Sequence, residues 1–159
     1  MSIHFIKHAE KGNRFLDELA LELGDSGNTE RAGRLLRSVF SLLRNHLSVE
    51  ESFQIIAQMP MALKALYVDG WIPGNQLAAN NTYSDFFDDV LEVDGCFSWE
   101  YSPGANEVTL AIQAVLKTLR NYVPEEEFEN MSTLFPLDIK SIMPRRDSRD
   151  LIIELINGI

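Results

Sequence analysis

The chain has a single cysteine, Cys96, in 159 residues. That excludes an internal disulfide framework and any metal site built from several thiolates, and it suits a reducing compartment. Long hydrophobic runs are also missing: no stretch approaches the roughly 18 apolar residues that span a bilayer. The opening "MSIHFIKHAEKG" interrupts its apolar pieces with His4, Lys7, His8 and Glu10, so it forms no export-type apolar segment. The expected location is the cytoplasm. Positive charge is scarce. Lys and Arg number 14 against 24 Asp and Glu, a net charge of -10, which repels phosphate backbones and anionic lipid. Neither nucleic acid nor a membrane is an expected partner. The sequence also lacks a phosphate-binding glycine loop, a G-x-S-x-G turn and a cysteine beside a sequence-local histidine. No residue is assigned a catalytic role, no cofactor is expected, and a non-enzymatic reading is preferred to an enzyme.

What the chain does contain is a repeat. "LRNHLSVEE" from Leu43 returns as "LRNYVPEEE" from Leu119. The same shift of 76 residues lays Val39 on Val115, Arg44 on Arg120, Asn45 on Asn121, Pro60 on Pro136 and Lys64 on Lys140. Upstream the shift becomes 71, placing Phe15 on Phe86 and Gly24 on Gly95, so the second copy carries an insertion within "CFSWEYSPGAN". Apolar residues follow the same register. Ala32, Leu35, Leu36, Val39, Phe40, Leu43 and Leu47 recur every three or four residues, as do Val108, Ala111, Ile112, Val115, Leu116, Leu119 and Val123. Each set makes one stripe of an α-helix, and these two helices are the expected centre of the core. The repeated phrase reads as a helix–helix corner. Ser48 and Glu51 have capping-box spacing, Pro124 suits a first helical position, and the glutamates face the positive end of the new helix.

The predicted fold is all-α, a bundle of two tandem multi-helix repeats with approximate two-fold symmetry, in one domain spanning 1–159. Repeat one covers about 13–72, a linker 73–82, repeat two about 83–144 and a C-terminal helix about 148–157. In each copy the helices are a first one ("RFLDELALEL" or "SDFFDDVLEV"), the long central one, the one after the corner, and a short one after Pro60 or Pro136. A unit of about 60 residues buries too little surface to be more than marginal alone, so the copies are expected to pack together.

At "AQMP" (57–60) and "YVDGWIP" (67–73), following the "LRSVFSLLRNHLSVEE" helix pair, the chain resembles the bacterial family catalogued as domain of unknown function 2267. Met59 stands where leucine is usual, a volume-conserving exchange. The resemblance spans roughly 13–144. It implies a helical, internally repeated cytoplasmic protein and supplies no catalytic residues to carry over.

Arg31, Arg34, Arg37 and Arg44 make a basic face on the first central helix of an acidic chain. They are a candidate docking face for an acidic partner or a phosphorylated ligand; the simpler reading is pairing with Asp17, Glu18 or Glu22. Phe97, Trp99 and Tyr101 alternate inside the insertion and make either an interface anchor or a plug over the bundle. Trp71 is read as a core anchor that fixes the turn into the linker. Leu151, Ile152, Leu155, Ile156 and Ile159 form a C-terminal stripe without a counterpart in repeat one. That stripe either closes the bundle or joins a homodimer. His4 and His8, four apart, are weak metal candidates with Glu10 or Asp17, and no metal site is assigned. His46 falls on Tyr122 and reads as helix-edge packing. The leading functional expectation is a protein–protein interaction module whose partner is another cytoplasmic protein or a second copy. The alternative is a small-molecule or metal-binding regulator with a site between the repeats.

Overall fold

A computed structural model of the chain describes residues 4–73, 105–135, 137–143 and 156. Within them the protein is all-α, with seven helices and no strand. These are α1 (Phe5–Glu22), α2 (Thr29–His46), α3 (Val49–Gln58), α4 (Met61–Val68), α5 (Ala105–Arg120), α6 (Glu125–Ser132) and α7 (Leu137–Ile142). The first helix of the second copy, the linker beyond Pro73, the aromatic trio Phe97, Trp99 and Tyr101, and Leu151, Ile152, Leu155 and Ile159 lie outside the described residues.

Local sequence accounts for the starts of α2 and α3. Asn28 caps α2, its side chain accepting the Arg31 N–H at 3.2 Å, a contact worth about 1 kcal/mol in a typical helix. The capping box of α3 is complete: Ser48 Oγ accepts the Glu51 N–H at 3.1 Å, and Glu51 Oε1 accepts the Ser48 N–H at 3.0 Å. Two boundaries differ from expectation. Pro124 sits at the N-cap of α6, not at its first helical position, because its ψ of 141° is extended. Helix α1 begins at Phe5, well before the apolar pattern that marks its second half. Phe5 and Ile6 are 77% and 75% exposed, so this turn follows no buried stripe, yet its Lys, Glu and Ala residues favour helix.

Helix α2 is central, packing against α1, α3, α4 and α5. Its Ala32, Leu35, Leu36, Val39, Phe40, Leu42 and Leu43 are all buried, as are Ala111, Ile112, Val115, Leu116 and Leu119 of α5. They belong to one continuous core that runs from Phe15 to Ile139. Each fully buried Leu, Ile or Phe contributes roughly 1.5–3 kcal/mol. The contacts α2–α5 and α3–α6 join helices that the 76-residue shift aligns. Helix α1 adds a further bridge, with Phe15 meeting the Tyr122 ring edge-on at 5.1 Å.

Helices α1 and α4 approach closely at Gly12, where an added Cβ would sit 2.8 Å from the Ala62 Cβ. Both atoms belong to helical backbones, which leaves neither free to swing away. Alanine for glycine inside a helix normally stabilises by about 1 kcal/mol; here overpacking of about 1–3 kcal/mol wins. Thermal denaturation should show Gly12→Ala melting below the parent, with Gly12→Ala/Ala62→Gly recovering part of the loss. A Gly12→Ala variant that melts higher would contradict this close approach.

Candidate functional site

The most elaborate corner of the described structure lies where α4 ends beside α2. Gly70 adopts φ +70°, a left-handed conformation open to glycine at no steric cost. The reversal delivers Trp71, whose N–H donates to Val68 O at 3.1 Å. Tyr67 is fully buried, and its hydroxyl lies 2.8 Å from Oγ of the equally buried Ser52. A run of rings leads outward from the core: Phe40 to Tyr67 at 5.3 Å, Tyr67 to Trp71 at 5.9 Å, and Trp71 to Phe53 at 6.0 Å. The run ends in solvent, for Phe53 is 57% exposed and Ile72 72%.

Arg44 ties this corner to α2. Its Nη1 donates to Tyr67 O at 2.9 Å and to Asp69 O at 3.0 Å, satisfying carbonyls at the end of α4 that have no helical donor. Burial lowers the Arg44 pKa from its ordinary value, with Tyr67 and Asp69 opposing the shift and Arg37 adding to it. Arg37 Nη1 meets Asp69 Oδ2 at 3.1 Å. Arg44, Asn45, Gly70, Trp71 and Ile72 line an open hollow of about 180 Å³.

The arginine stripe is partly occupied. Arg31 pairs with Asp25 at 3.3 Å and Arg37 with Asp69, so intramolecular pairing occurs with acids other than those expected. The reason is placement: Asp25 and Asp69 lie in the turns that flank α2, whereas Glu22 reaches Lys117 of α5 at 3.3 Å. Arg34 is exposed and has no ion pair among the described residues. The residue that the 76-residue shift lays on Arg44 has other contacts. Arg120, at the position of Arg44, donates through Nε to Glu125 Oε2 at 3.1 Å, contacts Glu125 Oε1 through Nη2, and lies 5.2 Å over the Phe128 ring. Where copy one has Tyr67, Gly70 and Trp71, copy two has Met143, Arg146 and Asp147.

His4 is the exposed N-cap of α1 and His8 lies in its first turn. Among the described residues no three His, Cys, Asp or Glu side chains form a metal-binding group. His46 Nδ1 is 2.9 Å from Leu42 O, a helix-edge role; a carbonyl only accepts, so Nδ1 carries the proton. Ile156, the described member of the C-terminal stripe, is 68% exposed. Among the described residues no helix is long and apolar enough to cross a membrane. The Arg44 clamp and the Ser52–Tyr67 pair escape sequence reading because their partners lie far apart along the chain. Only the spacing of Arg44 on the stripe hinted at a shared role.

Burial pushes the Tyr67 phenol up to about 12 despite the Ser52 bond and the Arg44 charge, which lower it. Tyr122 is likewise raised to about 12, by burial and then by its bond to Glu18. An unfolded tyrosine ionises near pH 10. The folded state therefore keeps protons that the unfolded state loses, and stability present below about pH 10 disappears as pH rises towards about 12. Tyr67→Phe should lower stability near neutrality by about 1–2 kcal/mol, since it strands the buried Ser52 hydroxyl, and should flatten the alkaline loss. Urea unfolding followed by circular dichroism between about pH 8 and pH 11 measures both; an unchanged alkaline slope would contradict the assignment.

No curated protein matches the chain. The family model described as "Uncharacterized conserved protein" (DUF2267) matches residues 12–142, a span that includes every helix from α2 to α7, the Arg44 clamp and the Trp71 corner. By that match over most of its length, the chain belongs to the DUF2267 family.

Proposed function

We propose that the chain is a non-enzymatic, cytoplasmic helical module that binds another protein through the Trp71 corner of its first copy. One observation carries this reading: a half-buried tryptophan, held from behind by Tyr67, stands beside the exposed Phe53 and Ile72 and next to the arginine face of α2. Interfaces draw their energy from rigid aromatic and arginine side chains of this kind. The corner is held by tertiary bonds, so little ordering is left to oppose association. The helix pairings α2–α5 and α3–α6 support the further reading that the copies pack about an approximate two-fold axis, leaving this asymmetric corner as a feature of one copy. The exposed Ile156 favours self-association through the C-terminal stripe as a second partner class.

The test is affinity isolation of the tagged full-length protein at natural abundance, followed by reconstitution of each pair from purified components. Phe53→Ala should leave the melting temperature nearly unchanged, because Phe53 is more than half exposed, and should weaken the reconstituted pair at least about tenfold. A protein that emerges alone with a stoichiometric metal or metabolite, and melts higher when that ligand is added, would overturn the reading in favour of a small-molecule or metal-binding regulator.

A further inference from the structure

Among the described residues, the guanidinium of Arg44 bonds through one of its three nitrogens, Nη1. Both protons of Nη1 go to the carbonyls of Tyr67 and Asp69. The Nε–H and the Nη2 protons have no partner among the described residues, and the side chain lines the hollow beside Trp71 and Ile72. That unused edge is the fork that grips a carboxylate with two parallel hydrogen bonds.

The surroundings extend the pattern. Arg34, Arg37 and Arg44 follow one another at intervals of three and seven along α2, which keeps them on one helical face. One carboxylate, Asp69, answers the charge of this group through Arg37, and Arg34 has no ion pair among the described residues. Among the described residues the charge of this group is thus positive, in a chain whose net charge is -10. Apolar surface adjoins it at Phe53 and Ile72.

We propose that this corner seats an acidic peptide segment of another protein. One of the segment's carboxylates takes the Nε/Nη2 edge of Arg44, a neighbouring apolar side chain lies against Phe53 and Ile72, and flanking acids meet Arg37 and Arg34. This rests on the reading of the corner as an interaction surface and names the chemistry it selects. Charge complementarity sets the sign of the partner. The apolar flank favours a peptide over a small anion, which would leave Phe53 and Ile72 uncovered, and the acidic remainder of the chain opposes nucleic acid and anionic membrane.

The experiment is titration of the full-length, isotope-labelled protein with a short acetylated and amidated peptide in which glutamates flank a central Leu-Phe pair. Binding is read from amide chemical shifts and calorimetry. Shifts should concentrate at residues 34–45, at Phe53 and at residues 69–72. Affinity should fall about tenfold or more when glutamines replace the glutamates, and should weaken as salt shortens the reach of the charges. Arg34→Glu, an exposed change that leaves the melting temperature intact, should lower affinity about tenfold. Arg44→Lys, which keeps the charge but loses the fork, should lower it comparably. Equal binding of the glutamine peptide, glutarate bound as tightly as the peptide, shifts at another surface, or a dimer that Arg34→Glu dissolves would each overturn the proposal. A silent peptide, with Phe53→Ala still weakening a reconstituted natural pair, would overturn the acidic chemistry alone and leave the interaction surface standing.

Discussion

Partly burying an arginine strips some water from its guanidinium, and at Arg44 the replacement ligands are the main-chain oxygens of Tyr67 and Asp69. The exchange works in both directions. The cation regains acceptors, and the last carbonyls of α4 gain donors that the helix cannot supply. The end of α4 is thereby fixed against α2, and the left-handed turn at Gly70 is fixed with it. Trp71 inherits its position from that turn and Phe53 packs on Trp71. The candidate surface is therefore the visible end of a chain of constraints that begins with one partly desolvated side chain.

The same logic distinguishes Arg44 from Arg120, which the 76-residue shift lays upon it. Arg44 and Arg120 occupy equivalent positions, but Arg120 has a carboxylate five residues on, and Glu125 takes up its charge locally. Valine, Val49, stands at the matching place in the first copy, so Arg44 must look across to α4 for its partners. One difference in the first turn of the following helix thus accompanies a local ion pair at Arg120 and bonds to the end of α4 at Arg44.

Much of the fold was legible because it is local. The three- and four-residue recurrence along α2 and α5 marks their buried faces, and Ser48 and Glu51 announce the start of α3 before any tertiary contact is considered. The first turn of α1 was not legible, since Phe5 and Ile6 are exposed and no stripe runs through them. At the site, the arginine face could be read from spacing, but its partners could not. Asp25 and Asp69 acquire their roles from the turns that bring them beside α2, and Asp69 lies far along the chain from Arg37. Trp71 was placed by its motif as an anchor of the turn. Its half-exposed setting beside Phe53 depends on the packing of α3 against α4, for which no short motif exists.

The measurement that tests the account most directly is amide hydrogen exchange across the whole chain, comparing the parent with Arg44→Met, which keeps much of the side-chain volume and removes the donors. Exchange should quicken only within residues 67–72, with the protection of α2 and α5 retained. Unchanged protection at the corner would contradict it, because the turn would then be held by something other than the Arg44 clamp.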